Sequence, residues 1–384
     1  MWKVVLLGVL GLAMVVFGLS LIDAGGGGKV RVSAQLLNIP TDIAGFARAE
    51  GPYAWQFPAD FGPHPAFQTE WWYYTGNLAD RTGRRFGYQF TIFRRAITPE
   101  AVDSDSEWRT NQIYMAHFTV TDVEADRFYQ QQRLSRGAAG LAGATSDPRY
   151  HVWLEDWEAV ALDDEAVRTH LTAAAEAVAI DLVLEQVRPP ALQGEGGLSR
   201  KSDEPGNASY YYSLTRLLTV GTITVGGTAY AVSGTTWMDH EFSTGALGDD
   251  AQGWDWFGLH LDDGRDLMLG RIRRVGGGHD PAFGGLLAWA EGRTRQLRAD
   301  DFTIDVTDTW ASPHTGAVYP AGWHIHVDGG EGGPLDLTLT PLVADQELRE
   351  AIAYWEGAVH ITGETTGYGY AELTGYAGTM NGRF

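Results

Sequence analysis

Trp71-Trp72-Tyr73-Tyr74-Thr75-Gly76-Asn77-Leu78-Ala79-Asp80 and Trp254-Asp255-Trp256-Phe257-Gly258-Leu259-His260-Leu261-Asp262-Asp263 decide the fold. Aligned end to end, each starts on an aromatic cluster and runs out into an acidic turn. After a two-residue difference in that turn, Gly83-Arg84 falls on Gly264-Arg265. Each copy then closes on paired arginines, Arg94-Arg95 and Arg273-Arg274. Aromatic-rich runs folding back through a glycine turn read as β-hairpins. Two copies half a chain apart predict two related β domains, each opened by one such hairpin.

The flanking sequence carries the same texture. Leu218–Val225, Gly226-Gly227 and Thr228–Trp237 spell a hairpin whose Gly-Gly pair supplies the positive φ angles of a tight primed turn. Leu259–Leu269 is another, turning at Asp263-Gly264. Further strands are expected at Ile113–Val120, Trp323–Val327, Leu335–Leu339, Ala358–Ile361 and Tyr368–Gly375. Helix signals are confined to the Ala-rich stretch Asp163–Val178 and a short turn around Ala344–Ala351. Aromatics reach 12% with 14 Trp, and 49 Gly accompany them, which favours strands and turns over helices. At 384 residues the chain is long for one core, and tandem barrels account for the length without a long structureless loop. The expected organisation is all-β: 1–28 an export segment, 29–50 a linker, 51–240 and 241–384 two barrel domains.

A net charge of −21 repels phosphate backbones, so nucleic acid is not an expected partner, and it argues against adsorption to an anionic membrane by charge alone. With no cysteine there is no disulfide, thiolate metal site or cysteine nucleophile. Lys3 precedes an uncharged apolar run, Val4–Ile22, about 28 Å long as a helix. Four glycines, Gly25–Gly28, follow it. This reads as an export signal, either cleaved near Ala24 or retained as a membrane anchor, and it places the protein outside the cytoplasm.

The chemistry concentrates in Trp237-Met238-Asp239-His240-Glu241-Phe242. As a strand it sets Trp237, Asp239 and Glu241 on one face, expected to be wet and acidic. Met238, His240 and Phe242 fall on the other, apolar face. A histidine there is more often a satisfied core residue than a catalyst. A carboxyl desolvated among tryptophans, however, can stay protonated near neutrality and donate a proton. Glu70 and Asp255 flank the Trp pairs, with Arg94 and Arg273 as alternative structural partners. His117 sits inside a strand pattern with the same ambiguity. Trp71, Trp72, Tyr74, Tyr211, Trp237, Trp254 and Trp256 are core fillers or the walls of an apolar-ligand pocket. His324 and His326 share a strand face but find no third ligand in the sequence, so no metal or other cofactor is expected. No Gly-x-Ser-x-Gly elbow, no phosphate loop and no His-Glu-x-x-His is present.

These residues carry a resemblance. Phe57-Pro58-x-Asp60-Phe61-Gly62-x-His64-Pro65, Thr69–Leu78, Tyr114–Phe118, Ser209–Ser213, Trp237–Glu241, Trp254–Gly258 and Tyr370-x-Glu372-Leu373-Thr374-Gly375-Tyr376 together resemble the AttH-like or carotenoid 1,2-hydratase-like proteins. That group is lipocalin-like, and some members are described as secreted hydrolases. The resemblance implies two lipocalin-like β-barrels in tandem with a pocket between or within them. Its hydratase members add water across an unactivated double bond, which suits a buried acid and carbocation-stabilising aromatic faces. One departure stands out: Leu267–Arg273, after the second Trp pair, has no tyrosine and no acid beyond Asp266, where the hydratases carry both. The expected activity is hydratase- or isomerase-like acid–base chemistry on a lipid- or isoprenoid-like substrate, carried by Asp239, His240, Glu241, Glu70 and Asp255. The alternative is a non-catalytic lipid carrier of the cell envelope, beside an export system.

Overall fold

The computed structural model describes residues 43–245, 247–328, 332–378 and 380. The apolar run Val4–Ile22 and most of the expected linker lie outside the described residues. Among the described residues there is no α-helix, only two 3-10 turns at Ala59–Phe61 and Ala299–Asp301.

The first sheet begins as a meander of β1 (Thr69–Asp80), β2 (Arg85–Ala96), β3 (Gln112–Asp122) and β4 (Arg127–Arg136). Shorter strands follow: β5 (Ala142–Thr145), β6 (His151–Leu154), β7 (Trp157–Ala161), β8 (Arg168–Ala174) and β9 (Val178–Gln186). Two fragments, β10 (Ala191–Leu192) and β11 (Leu198–Arg200), lead into the long hairpin of β12 (Ala208–Val225) and β13 (Thr228–Ser243). The main path of the sheet is β4-β3-β2-β1-β13-β12-β9-β8-β7-β6-β5. The second sheet takes β14 (Ala251–Leu261), β15 (Asp266–Arg274), β16 (Gly285–Ala288), β17 (Thr294–Leu297) and β18 (Phe302–Ala311). It continues with β19 (Val318–Val327), β20 (Leu335–Pro341), β21 (Glu347–Arg349), β22 (Ala353–Gly363) and β23 (Gly367–Leu373). Each sheet curls into a nearly closed, lipocalin-like barrel, and the chain passes from one sheet to the other between Ser243 and Ala251.

The aligned hairpins occupy equivalent places. β1 lies between β2 and β13, and β14 lies between β15 and β23. Strands buried on only one face alternate in sequence, but β1 is buried along nearly its whole length. One face fills its own barrel through Trp72, Tyr74 and Leu78; the other meets the second sheet through Tyr73. Burial on both faces explains the unbroken aromatic run, as in sheets covered on both sides. The second barrel is filled by Phe257, Leu259, Trp323 and Trp355. A third apolar cluster, containing Tyr73, Tyr211, Trp237, Trp256 and Tyr370, joins the two sheets.

Neither helix signal folds as a helix. Asp163 accepts from the Val167 and Arg168 amides at 2.8 and 2.9 Å, closing a turn, and Ala166 sits at φ +54. A left-handed alanine ends a helix before it starts. The alanines that follow line β8, where Leu171 and Ala173 point inward. Within Ala344–Ala351, β21 pairs with β22 because the Glu347 carboxylate is drawn inward by Ser312, Thr315 and Tyr319 hydroxyls.

Candidate functional site

Alternation along β13 splits its residues as the period of two requires. Asp239 and Glu241 face a cavity between the sheets, whereas Met238 and His240 face the interior of the first barrel. The acidic face is not wet: Asp239 is 4% exposed and Glu241 6%. The second sheet covers it, which a single strand's sequence cannot announce. The cavity measures about 100 Å³. An engineered apolar cavity of about 150 Å³ admits one benzene ring. This cavity is smaller than that, so a long chain does not fit inside it whole.

Its walls come from both copies of the hairpin. Trp71 and Tyr73 on β1, and their aligned counterparts Trp254 and Trp256 on β14, all line it. Tyr73 pairs with Asp239 in the first sheet just as Trp256 pairs with Glu372 in the second. The cavity is thus quasi-symmetric, with a carboxyl from each barrel.

Asp239 accepts from Ser213 Oγ at 2.5 Å, Trp237 Nε1 at 2.7 Å and the Tyr211 hydroxyl at 2.7 Å. Burial outweighs these neutral donors and pushes its carboxyl up to about 7. Glu372 is pushed up to about 8, chiefly by burial, with Trp254 as its donor and the charges of Asp239 and Glu241 adding to the rise. Glu241 is paired with Lys201 Nζ at 2.9 Å, and that ammonium also sits 4.2 Å from the centre of the Phe283 ring. The site therefore holds two carboxyls that exchange protons near neutrality, beside one fixed ion pair.

The other expected residues have other settings. Glu70 accepts from His240 Nε2, His64 Nδ1 and Arg94 Nε, each at 2.8 Å. Burial opposes its charge, but Arg94 and the two imidazoles win and hold it well below the usual carboxylate range. Trp72 stacks on His240 at 4.9 Å, and Tyr74 is bonded to Tyr150 at 2.8 Å, so both belong to the first barrel's core. The donor atoms of His64, Glu70 and His240 lie within 4.8 Å of one another. A guanidinium already occupies the same carboxylate, so the cluster is a buried hydrogen-bonded network. Asp255 points into the second barrel, held by Arg273 Nε and the Tyr376 hydroxyl at 3.0 Å. His117 stands behind the cavity wall, its Nδ1 2.8 Å from the Tyr354 hydroxyl, and burial lowers it to about 4, keeping it neutral. Trp237 lies beneath Asp239 and packs on Trp256. His324 and His326 lean on Asp336 at the solvent face.

Cavity residues outside the expected set include Glu372, Tyr73, Tyr354, Lys201, Phe93 and Phe283. Tyr73 follows from Trp71 by strand alternation, and Glu372 stood in a quoted motif. Lys201, in a connecting segment, carried no signal.

Two nearly closed barrels packed sheet to sheet over an acid-bearing aromatic cavity define a two-domain lipocalin-like protein. Residues 48–376 match the AttH-like family, and the chain belongs to it. It is 35% identical to a candidate AttH of Nitrosomonas europaea, whose crystal structure superposes with a TM-score of 0.76 over 86% of this chain and 100% of that one. Kievitone hydratase from Nectria haematococca shares the fold at 15% identity, with a TM-score of 0.63 over 87% and 98%. CghA, solved with Sch210972, shares it at 12% identity, with a TM-score of 0.51 over 87% and 97%. No curated protein matches the chain.

Proposed function

We propose that the protein is a hydratase-type enzyme that adds water across a carbon–carbon double bond of an apolar, lipid- or isoprenoid-like substrate. The observation that carries this reading is the pair Asp239 and Glu372, two proton-exchanging carboxyls in a cavity walled by Trp71, Trp254 and Trp256. A protonated carboxyl transfers its proton to one alkene carbon, and the π electrons form the new C–H bond. The indole faces stabilise the cation left on the other carbon. Water attacks that carbon and loses a proton to the remaining carboxylate. The cavity does not take a long chain whole, so part of a longer substrate stays outside. Export to the cell envelope belongs to the same proposal, resting on the apolar run Val4–Ile22.

The test uses full-length protein, unsaturated isoprenoids and fatty acids, and ¹⁸O-labelled water, with mass spectrometry of the products. A labelled alcohol that disappears with Asp239→Asn is the expected result. Tight binding of the same compounds with no label incorporated would instead make the protein a carrier.

A further inference from the structure

The quasi-symmetry of the cavity breaks at one position. In the first barrel, the residue directly opposite Asp239 on the neighbouring strand is Ser213, which donates to it. In the second barrel, the residue directly opposite Glu372 is Glu356. Directly opposed side chains on antiparallel strands point to the same side, with Cβ atoms about 5 Å apart. A hydroxyl donor in one half is thus replaced by a second carboxyl in the other.

Glu356 is fully buried and does not line the cavity. Its Oε1 accepts from the Tyr73 hydroxyl at 2.5 Å, and among the described residues its Oε2 has no hydrogen-bond partner. The groups facing the pair are Tyr73 from β1, Asp239 and Glu241 from β13, Trp254 from β14, Tyr354 from β22 and Tyr370 from β23. Lys201, the cation that lines the cavity, is bound to Glu241. Two apposed carboxyls with neutral or acidic neighbours cannot both ionise near neutral pH, so they titrate as a unit and keep a proton.

We propose that Glu356 and Glu372 form an electrostatically coupled acid pair, in which Glu372 presents the proton to the cavity and Asp239 serves as the base. This rests on the hydratase reading for its substrate, and it assigns the two carboxyls different roles. Glu372 gives its O–H proton to the alkene carbon and keeps the bonding pair as carboxylate. Asp239 takes the proton from the attacking water, and solvent exchange returns one proton to Glu372 and removes one from Asp239. Glu356 is a positioning residue: kept neutral directly opposite Glu372, it adds no second negative charge when Glu372 ionises and so sets how readily Glu372 gives up its proton. The three neutral donors around Asp239 suit it to the anionic role, whereas Glu372 has one such donor and an acid opposite.

Infrared pH titration of ¹³C-glutamate-labelled protein, without ligand, tests the pair. The wild type is expected to show two protonated glutamic C=O bands at pH 6, one lost near pH 8 and one persisting above it. Glu356→Gln removes the persistent band. Glu372→Gln removes the other and shifts the remaining titration downward by about one pH unit or more, since the like charge is gone. Bands absent at pH 6, or a remaining titration unmoved in Glu372→Gln, would overturn the proposal. Turnover supplies a second arm: Glu356→Gln lowers kcat with KM unchanged and alters the pH profile, which a merely structural residue would not do. Coupled bands without any hydration activity would leave the acid pair standing and remove the hydratase reading.

Discussion

Asp239 and Glu70 are both carboxylates buried in the same molecule, yet their partners drive them in opposite directions. Glu70 meets a guanidinium and two imidazoles, so its charge is kept. Asp239 meets only neutral donors, so burial favours its neutral form. Between pH 4 and 7 the folded state holds a proton at Asp239 that the unfolded chain has released. Stability from this site therefore falls as pH rises through that window, with the full cost, roughly 4 kcal/mol at most, present above it. Asn cannot ionise, so Asp239→Asn should gain stability over the wild type as pH rises from 5 to 8. Calorimetric melting at both pH values checks this, and a pH-independent difference would contradict it. Glu70→Gln leaves Arg94 buried without its anion and should cost about 3–5 kcal/mol in urea unfolding. A loss below 1 kcal/mol would show the network to be dispensable.

At the scale of elements, the sequence was most legible where turn chemistry and alternation agree. The Gly226-Gly227 turn has φ of +56 and +81, and Gly264 has +91, as the two expected hairpins require. The split of β13 into two faces followed from its period, but the sheet covering one face came from residues far along the chain. Glu356 and Glu372 became a pair only through the β22–β23 register, which composition does not encode. The Ala-rich stretch misled because alanine fits a crowded barrel interior as well as a helix. Close approach between sheets is equally hidden in sequence. A Cβ on Gly87 would lie 2.8 Å from both Ala358 Cβ and the Tyr370 hydroxyl across the interface. Gly87→Val should therefore wedge β2 from β22 and cost about 1–3 kcal/mol, as overpacking does. Urea denaturation measures it; an unchanged midpoint would mean that the sheets part without strain.

Across the whole molecule, the repeat is also what locks the barrels together. Asn77 and His260 are aligned in the two hairpins, and each reaches over to the other sheet. Asn77 donates to the Gly369 carbonyl at 2.9 Å and His260 Nε2 to the Thr215 carbonyl at 2.7 Å. Thr215 and Arg216 lie in a register break of β12, and such a bulge re-aims side chains. From it Arg216 binds Asp266 Oδ1 through Nε at 3.0 Å, Thr215 donates to Oδ2 at 2.9 Å, and Arg188 pairs with the same carboxylate. Asp266, the acid left in the departing strand, is fully buried and belongs to β15 of the second sheet. Both arginines come from the first-sheet half of the chain. Asp266→Ala would leave two largely buried guanidiniums without an anion at the barrel junction, a loss of about 3–5 kcal/mol. Because the staple spans the sheets, that loss should appear with faster amide exchange in β12 and β15 before either barrel core opens. Exchange that accelerates equally in both cores would mean that the barrels unfold as one unit and that Asp266 is no hinge between them.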